Sequence, residues 1–337
     1  MKKIFNLIAS FVLLAGFSAC NKDGSDKPGL PHAPVPTVNY KGLTFISSGK
    51  STVCLAKVGA PDEITLEYST DESQWNPYTL GEKISLADGT FLLFRAGEQK
   101  NLTFSKGSDS YYHFEISGPV TAQGNIMSLL DRDFSTPLST NAFFALFEGC
   151  KSLLSAPELP ATTMAQGCYF RMFAECSGLI SAPELPAEAL AYNCYGRMFK
   201  GCSALTYVPD LPATKMEAYC YNSMFANCTS LKFAPELPAT RLDTGCYHCM
   251  FEGCTSLTSA PELPATELVS NCYEFMYKDC RNLRYVIGLF TTEPSKKTTE
   301  DWLSGVAASG TFIKSEKATW DVTGAHGVPE GWKIETW

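Results

Sequence analysis

The chain has 337 residues, of which 45% are hydrophobic and 18% charged, with a formal net charge of −8. That length holds two packed cores, and its basic residues are too scattered to form a nucleic-acid surface. The four histidines, His32, His113, His248 and His326, lie in no catalytic signature, and there is no glycine-rich phosphate loop or nucleophile elbow. Nucleophilic catalysis with a histidine base thus has no visible machinery in the sequence, and a hydrolase built on carboxylates alone is not excluded by motif.

Residues 1–19 carry Lys2 and Lys3, then an apolar run, then Ser18 and Ala19 before Cys20. A basic start, a short apolar run and small residues before a cleavage point describe a secretory signal, too short to span a membrane. With Cys20 at its end it resembles a bacterial lipoprotein signal, which implies lipidation of Cys20. Lys22, Asp23 and Asp26 resemble the surface-export signal of Bacteroidetes lipoproteins. The resemblance implies an outer-membrane lipid anchor and display at the cell surface, with retention on the periplasmic side as the alternative. Residues 20–37 are proline-rich and predict an extended tether.

From residue 38 to 120 the hydrophobic period becomes two. Strand-like runs at 43–46, 52–58, 64–68, 83–86, 90–95 and 111–116 are broken by Gly, Asp, Ser and Pro turns, which predicts an antiparallel β-sandwich. The stretch from Ser69 to Trp75 resembles the Asp-box turn of many β-proteins, a structural device. Trp75 either packs its hairpin or offers a platform to the apolar face of a sugar. Residues 121–141, with Phe143 and Phe144 following, read as a half-unit that caps a solenoid.

Residues 142–290 are a repeat of 26 residues. One cysteine column holds Cys150, Cys176, Cys202, Cys228, Cys254 and Cys280; a second holds Cys168, Cys194, Cys220, Cys246 and Cys272. Between them recurs Cys-x-x-Leu-x-x-Ala/Val-Pro-x-Leu-Pro-Ala, then Leu or Met, then Cys-Tyr-x-x-Met-Phe-x-x-Cys. Repetition without insertion describes a solenoid whose units bury one continuous core. The proline stretch predicts extended chain. The apolar pairs of Cys-Tyr-x-x-Met-Phe-x-x-Cys predict a short helix of about two turns. Met-Phe-x-x-Cys-x-x-Leu-x-x-Ala resembles, column for column, the BspA-type leucine-rich repeat of Bacteroidetes surface proteins. The resemblance implies adhesion to host or microbial proteins. The expected fold class is therefore α+β: a β-sandwich, a leucine-rich-repeat solenoid, and a Trp-rich cap over residues 291–337 in which the repeat has stopped and residues 298–308 form a helix.

Cys168 and Cys176, eight apart on a helix, are about 12 Å apart along its axis, beyond the reach of a disulfide. The columns are read instead as buried apolar thiols. Cys249 lies in a variable column with Arg171, Arg197, Ser223 and Phe275 and is expected to be exposed. Cys246-Tyr-His-Cys249 lacks a second pair, so no metal site is expected, and no cofactor. The file Glu158, Glu184, Asp210, Glu236 and Glu262 is either solvated and hydrogen-bonded or a site for cations or a basic partner. In the neighbouring variable column, Tyr207, Phe233 and Tyr285 are the expected contact residues. The function so read is a non-catalytic surface lipoprotein that binds proteins. Its alternatives are a glycan-binding accessory protein of a carbohydrate uptake system and a structural envelope component.

Overall fold

The computed structural model describes residues 41–98 and 102–337. The predicted signal peptide, Cys20 and the whole of the tether lie outside the described residues. The described chain is mostly β, and its only α-helix is the four-residue Lys296–Thr299 (α1).

Each of the six alternating runs overlaps a strand. The N-terminal strands are β1 (Leu43–Ser47), β2 (Ser51–Val58), β3 (Leu66–Ser69), β4 (Asn76–Pro77), β5 (Ile84–Leu86), β6 (Phe91–Ala96), β7 (Ser105–Gly107), β8 (Ser110–Ser117) and β9 (Val120–Gln123). β10 (Leu153–Ser155) joins them from the start of the repeat. One sheet runs β10–β9–β1–β6–β3–β4 and another β5–β2–β8–β7. Phe45 of β1 and Phe94 of β6 meet Phe114 of β8 edge-on, with ring centroids 5.0 and 5.5 Å apart. All three are buried, so these rings join the two sheets.

The repeat then builds a stack of turns rather than helices. In Cys168-Tyr169-Phe170-Arg171-Met172-Phe173-Ala174-Glu175-Cys176 the N–H groups alternate in direction. Those of Tyr169, Arg171, Phe173 and Glu175 donate to the carbonyls of Cys194, Gly196, Met198 and Lys200, in the next copy of the motif. Those of Phe170, Met172, Ala174 and Cys176 donate to carbonyls three residues back. Gly167, Arg171 and Glu175 have φ of 58, 58 and 60°, and the same three columns are left-handed in every later copy. A left-handed residue at every fourth position ends each turn and forbids an α-helix. The apolar pairs recur every four residues, a spacing that a helix and a string of four-residue turns share over so short a stretch; this is why the helical expectation fails.

Stacking aligns like side chains. Phe147, Phe173, Phe199, Phe225, Phe251 and Tyr277 form one ring file with centroids 5.3 to 5.7 Å apart. Tyr169, Tyr195, Tyr221, Tyr247 and Tyr273 form another, 5.8 to 6.0 Å apart. The thiols of Cys176, Cys202, Cys228, Cys254 and Cys280 each donate to the carbonyl of a Phe one copy earlier, at 3.0 to 3.1 Å. All thirteen described cysteines are free and buried.

The stack does not end at Phe290. β11 (Ser259–Leu263), β12 (Tyr285–Gly288), β13 (Thr311–Lys314) and β14 (Lys333–Thr336) form a parallel C-terminal β-solenoid. Tyr285 pairs with Thr311, one period on, although the sequence motif has been lost. Residues 300–308 contain no helix: Tyr277 donates to the carbonyl of Trp302, and Asp301 and Gly305 keep the left-handed columns at φ 48 and 74°. Trp302, Trp320 and Trp332 are buried, and each indole N–H donates to a backbone carbonyl, of Gly327, Phe290 and Ala307 respectively. Trp337 is 65% exposed. The buried side chains from β1 to Trp332 form one cluster, not the two cores expected.

Burial pushes Cys150, Cys168, Cys254 and Cys272 from the ordinary 9.0 up to about 12, and Cys176, Cys228, Cys246 and Cys280 well above their usual value. A thiol that ionises only when unfolded contributes stability that is complete below pH 9 and declines above it, by roughly 1.4 kcal/mol per thiol per pH unit. Eight such thiols together remove on the order of 10 kcal/mol per unit, comparable to a whole domain's stability. Far-UV circular dichroism should therefore show cooperative unfolding between pH 9 and about pH 11; a native spectrum at the upper end would contradict this burial. The hydroxyl of Tyr195 is buried without a hydrogen-bond partner. Tyr195→Phe should leave thermal stability unchanged or raise it by about 1 kcal/mol, whereas Phe199→Ala should cost about 3–5 kcal/mol.

Candidate functional site

The flank of the stack carries the first group of candidates. Ser155, Ser181 and Tyr207 meet through parallel bridges, and Ser259 pairs with Tyr285 in the same way. Phe233 and Tyr285 are 47% and 40% exposed, high for large apolar side chains. Glu158, Glu184 and Asp210 are exposed, and Glu236 and Glu262 are half-buried. Partial burial raises the Tyr207 hydroxyl pKa above its ordinary value, and the carboxylates of Glu184 and Asp210 add to the shift, so the structure brings these three together. Asp210 Oδ1 accepts the backbone N–H of Glu236 at 3.2 Å, the kind of bond that offsets repulsion along the file. Exposed neighbours of one sign repel by only about 1 kcal/mol each in water.

Cys249 is buried, contrary to the expectation from its variable column. A short side chain there is covered by its neighbours, whereas Arg197 in the same column reaches past them into solvent. Asn222 Nδ2 lies 2.9 Å from His248 Nδ1. The amide donates, so Nδ1 accepts and the ring proton sits on Nε2, which faces Glu274 at 3.4 Å. Burial lowers the His248 pKa despite Glu274 and Glu252. Cys249 Sγ is 3.9 Å from His248 Nε2, and burial followed by Glu252 pushes the thiol up to about 12. A neutral imidazole beside a protonated thiol does not make a thiolate nucleophile at neutral pH. Among the described residues no group of three or more His, Cys, Asp or Glu side chains is placed to hold a metal ion.

Trp75 stands apart from the flank, in a cleft of about 350 Å³ in the N-terminal sheets. Asp71 sets the turn before it: its Oδ1 accepts the N–H groups of Ser73 and Gln74 at 2.9 and 2.8 Å. These bonds hold the Asp71 carboxyl below its usual pKa. The Asp-box-like stretch is therefore a structural turn whose product is the placement of Trp75. Arg95 of β6 stacks on the indole, its Cζ 3.7 Å from the ring centroid. Glu67 of β3 bonds both Arg95, at 2.7 Å, and Arg132, at 2.8 Å. Opposite, the buried Asp131 accepts the N–H groups of Asp133, Ser135 and Thr136, and this knot presents Arg132 and Phe134 to the cleft. Sequence reasoning located Trp75 but missed Arg95, Arg132 and Phe134, which no local pattern distinguishes.

Comparison with protein-family models, curated proteins and solved structures finds no match. Among the described residues no helix is long and apolar enough to cross a membrane.

In the folded chain at pH 7.5, Cys249 should be alkylated by iodoacetamide about a thousandfold more slowly than an ordinary thiol, from its smaller thiolate fraction. Peptide-resolved mass spectrometry measures the rate, and labelling at the rate of a free thiol would refute the assigned environment.

Proposed function

We propose that this chain is a lipid-anchored outer-membrane protein, displayed at the cell surface, that binds a host or microbial protein without catalysing a reaction. In this reading residues 38–120 are an antiparallel β-sandwich, and residues 142–290 are a leucine-rich-repeat solenoid of 26-residue units. The solenoid is the binding element. The observation that carries the proposal is the exposure of Phe233 and Tyr285 on a flank that also carries the carboxylate file, with Tyr285 tied in parallel register to Ser259 and Thr311. Exposed aromatic side chains at variable positions of a fixed stack supply contact area at little entropic cost, and the carboxylates favour a basic partner. A second reading, a glycan-binding accessory protein of a carbohydrate uptake system, is favoured by the Trp75 cleft. A structural role in the envelope is the third.

The full-length chain should bind at least one basic extracellular-matrix or microbial surface protein in a panel. A Tyr207→Ala/Phe233→Ala variant should lose about tenfold or more in affinity, the loss expected on removing interface anchors. Binding confined to glycans would transfer the function to the second reading. No binding to any member would sink the adhesin reading and point to an envelope partner.

A further inference from the structure

The Trp75 cleft is built as a binding site, and its chemistry narrows the ligand. Two walls are loops fixed by buried or hydrogen-bonded aspartates, Asp71 and Asp131. Each carries a residue held in the left-handed region, Glu72 at φ 65° and Phe134 at φ 57°. An aromatic side chain in that conformation is an outlier that only a determined environment maintains. Between the walls, Gly42 lets the chain pass Ser128: a Cβ there would lie 3.1 Å from Ser128 Cβ and 3.3 Å from the Phe94 carbonyl oxygen. Preformed walls of this kind reduce the ordering that a ligand would otherwise impose.

The charges do not balance. Arg95 and Arg132 share the single carboxylate of Glu67, and Lys41 adds a third cation at the lining against exposed Glu72. Among these five side chains one positive charge is left over, and the carboxylates of Asp71 and Asp131 are turned to backbone N–H groups of their own loops. Arg132 spends Nε on the Ala96 carbonyl at 3.2 Å and Nη2 on Glu67, two of a guanidinium's five donors. Its side chain is 40% exposed. A carboxylate matches a guanidinium fork and a surplus of one charge; a phosphate dianion demands more. Trp75, Leu93 and Phe134 supply apolar wall, of the kind that covers the C–H face of a pyranose ring. The volume lies at the small end of the range of about 300–1,000 Å³ for small-molecule sites, suited to one or two sugar residues rather than to a nucleotide or a folded partner.

We propose that this cleft binds an acidic saccharide, its pyranose ring against Trp75 and Phe134 and its carboxylate on Arg132 and Lys41. The proposal rests on the cleft and is independent of the solenoid flank. Isothermal titration of the full-length chain with D-galacturonate and its disaccharide, with D-galactose and with acetate tests it. The uronates should bind about tenfold or more tightly than either D-galactose or acetate. Trp75→Ala and Arg132→Gln should each weaken uronate binding by about tenfold or more. Because Arg132→Gln also strips a partner from Glu67, Lys41→Gln at the exposed rim provides a second variant, expected to weaken binding severalfold with an unchanged melting temperature. Tyr207→Ala/Phe233→Ala should leave uronate binding unchanged, so failure of the flank reading and failure of this one are distinguishable. No uronate binding at millimolar concentration would overturn the proposal. So would equal binding of galactose or acetate, or indifference to Trp75→Ala and Lys41→Gln.

Discussion

The structure depends on the alternation of backbone donors in the repeat. Across each Cys-Tyr-x-x-Met-Phe-x-x-Cys stretch every second N–H leaves the coil for the next one, and every other N–H closes a turn within its own coil. The arrangement pairs a buried backbone that has neither helix nor long strands, and pairing is what a buried amide requires. It needs a left-handed residue every four positions, at about 1–2 kcal/mol for each side-chain-bearing residue. Glycine removes that cost at Gly201, where φ is 77° and a Cβ would also strike the Glu175 carboxylate at 2.6 Å. The ring files and the thiol-to-carbonyl bonds then follow from register: once coils are tied at fixed offset, like side chains must lie over like.

Such a stack exposes unpaired groups at both ends, and the two ends meet the problem differently. At the first coil, strands cover it. Phe104 and Phe114 donate to the carbonyls of Ala142 and Leu146, and Val120 and Ile126 donate to those of Ser152 and Glu158. The ring file itself begins on β8, with Phe114 stacked on Phe147 at 5.2 Å. The N-terminal sheets are thus packed as the end of the solenoid as well as around their own rings. At the last coils, three tryptophans fill the core, and their indole donors take up carbonyls. Lys314 Nζ, largely buried, bonds the Trp320 carbonyl and Asp321.

What could be read from the sequence was whatever repeats. The period, the apolar columns, the N-terminal strands and the absence of pairing between thiols are visible because each is a column or an alternation. The local conformation was not, because pairs at a spacing of four suit a helix and a turn stack alike. The distinguishing signal was present in the column Gly149, Glu175, Gly201, Asn227, Gly253, Asp279 and Gly305, rich in residues that tolerate left-handed backbone. The same column continues past Phe290, where the rest of the motif has vanished, and it marks the true extent of the coils. The cleft was illegible for another reason. Its lining comes from four separate segments, around Lys41, Trp75, Arg95 and Arg132, and only the fold brings them together.

The two candidate surfaces make opposite demands on charge. The flank is acidic and the cleft carries a surplus cation, within one chain of net charge −8. In water at physiological salt, exposed charges are screened beyond about 8 Å. The net charge therefore acts weakly on a ligand already inside the cleft, where the guanidinium forks and the aromatic walls dominate. It acts more on encounter, where an acidic surface steers basic proteins inward and slows anions. A small acidic ligand tolerates slower encounter because its affinity is set by contacts made after arrival. The protein partner proposed for the flank would have no enclosing pocket, and would gain most from steering. If both proposals hold, the division of charge between an acidic flank and a small cationic cleft suits one macromolecular and one small ligand better than two ligands of either kind.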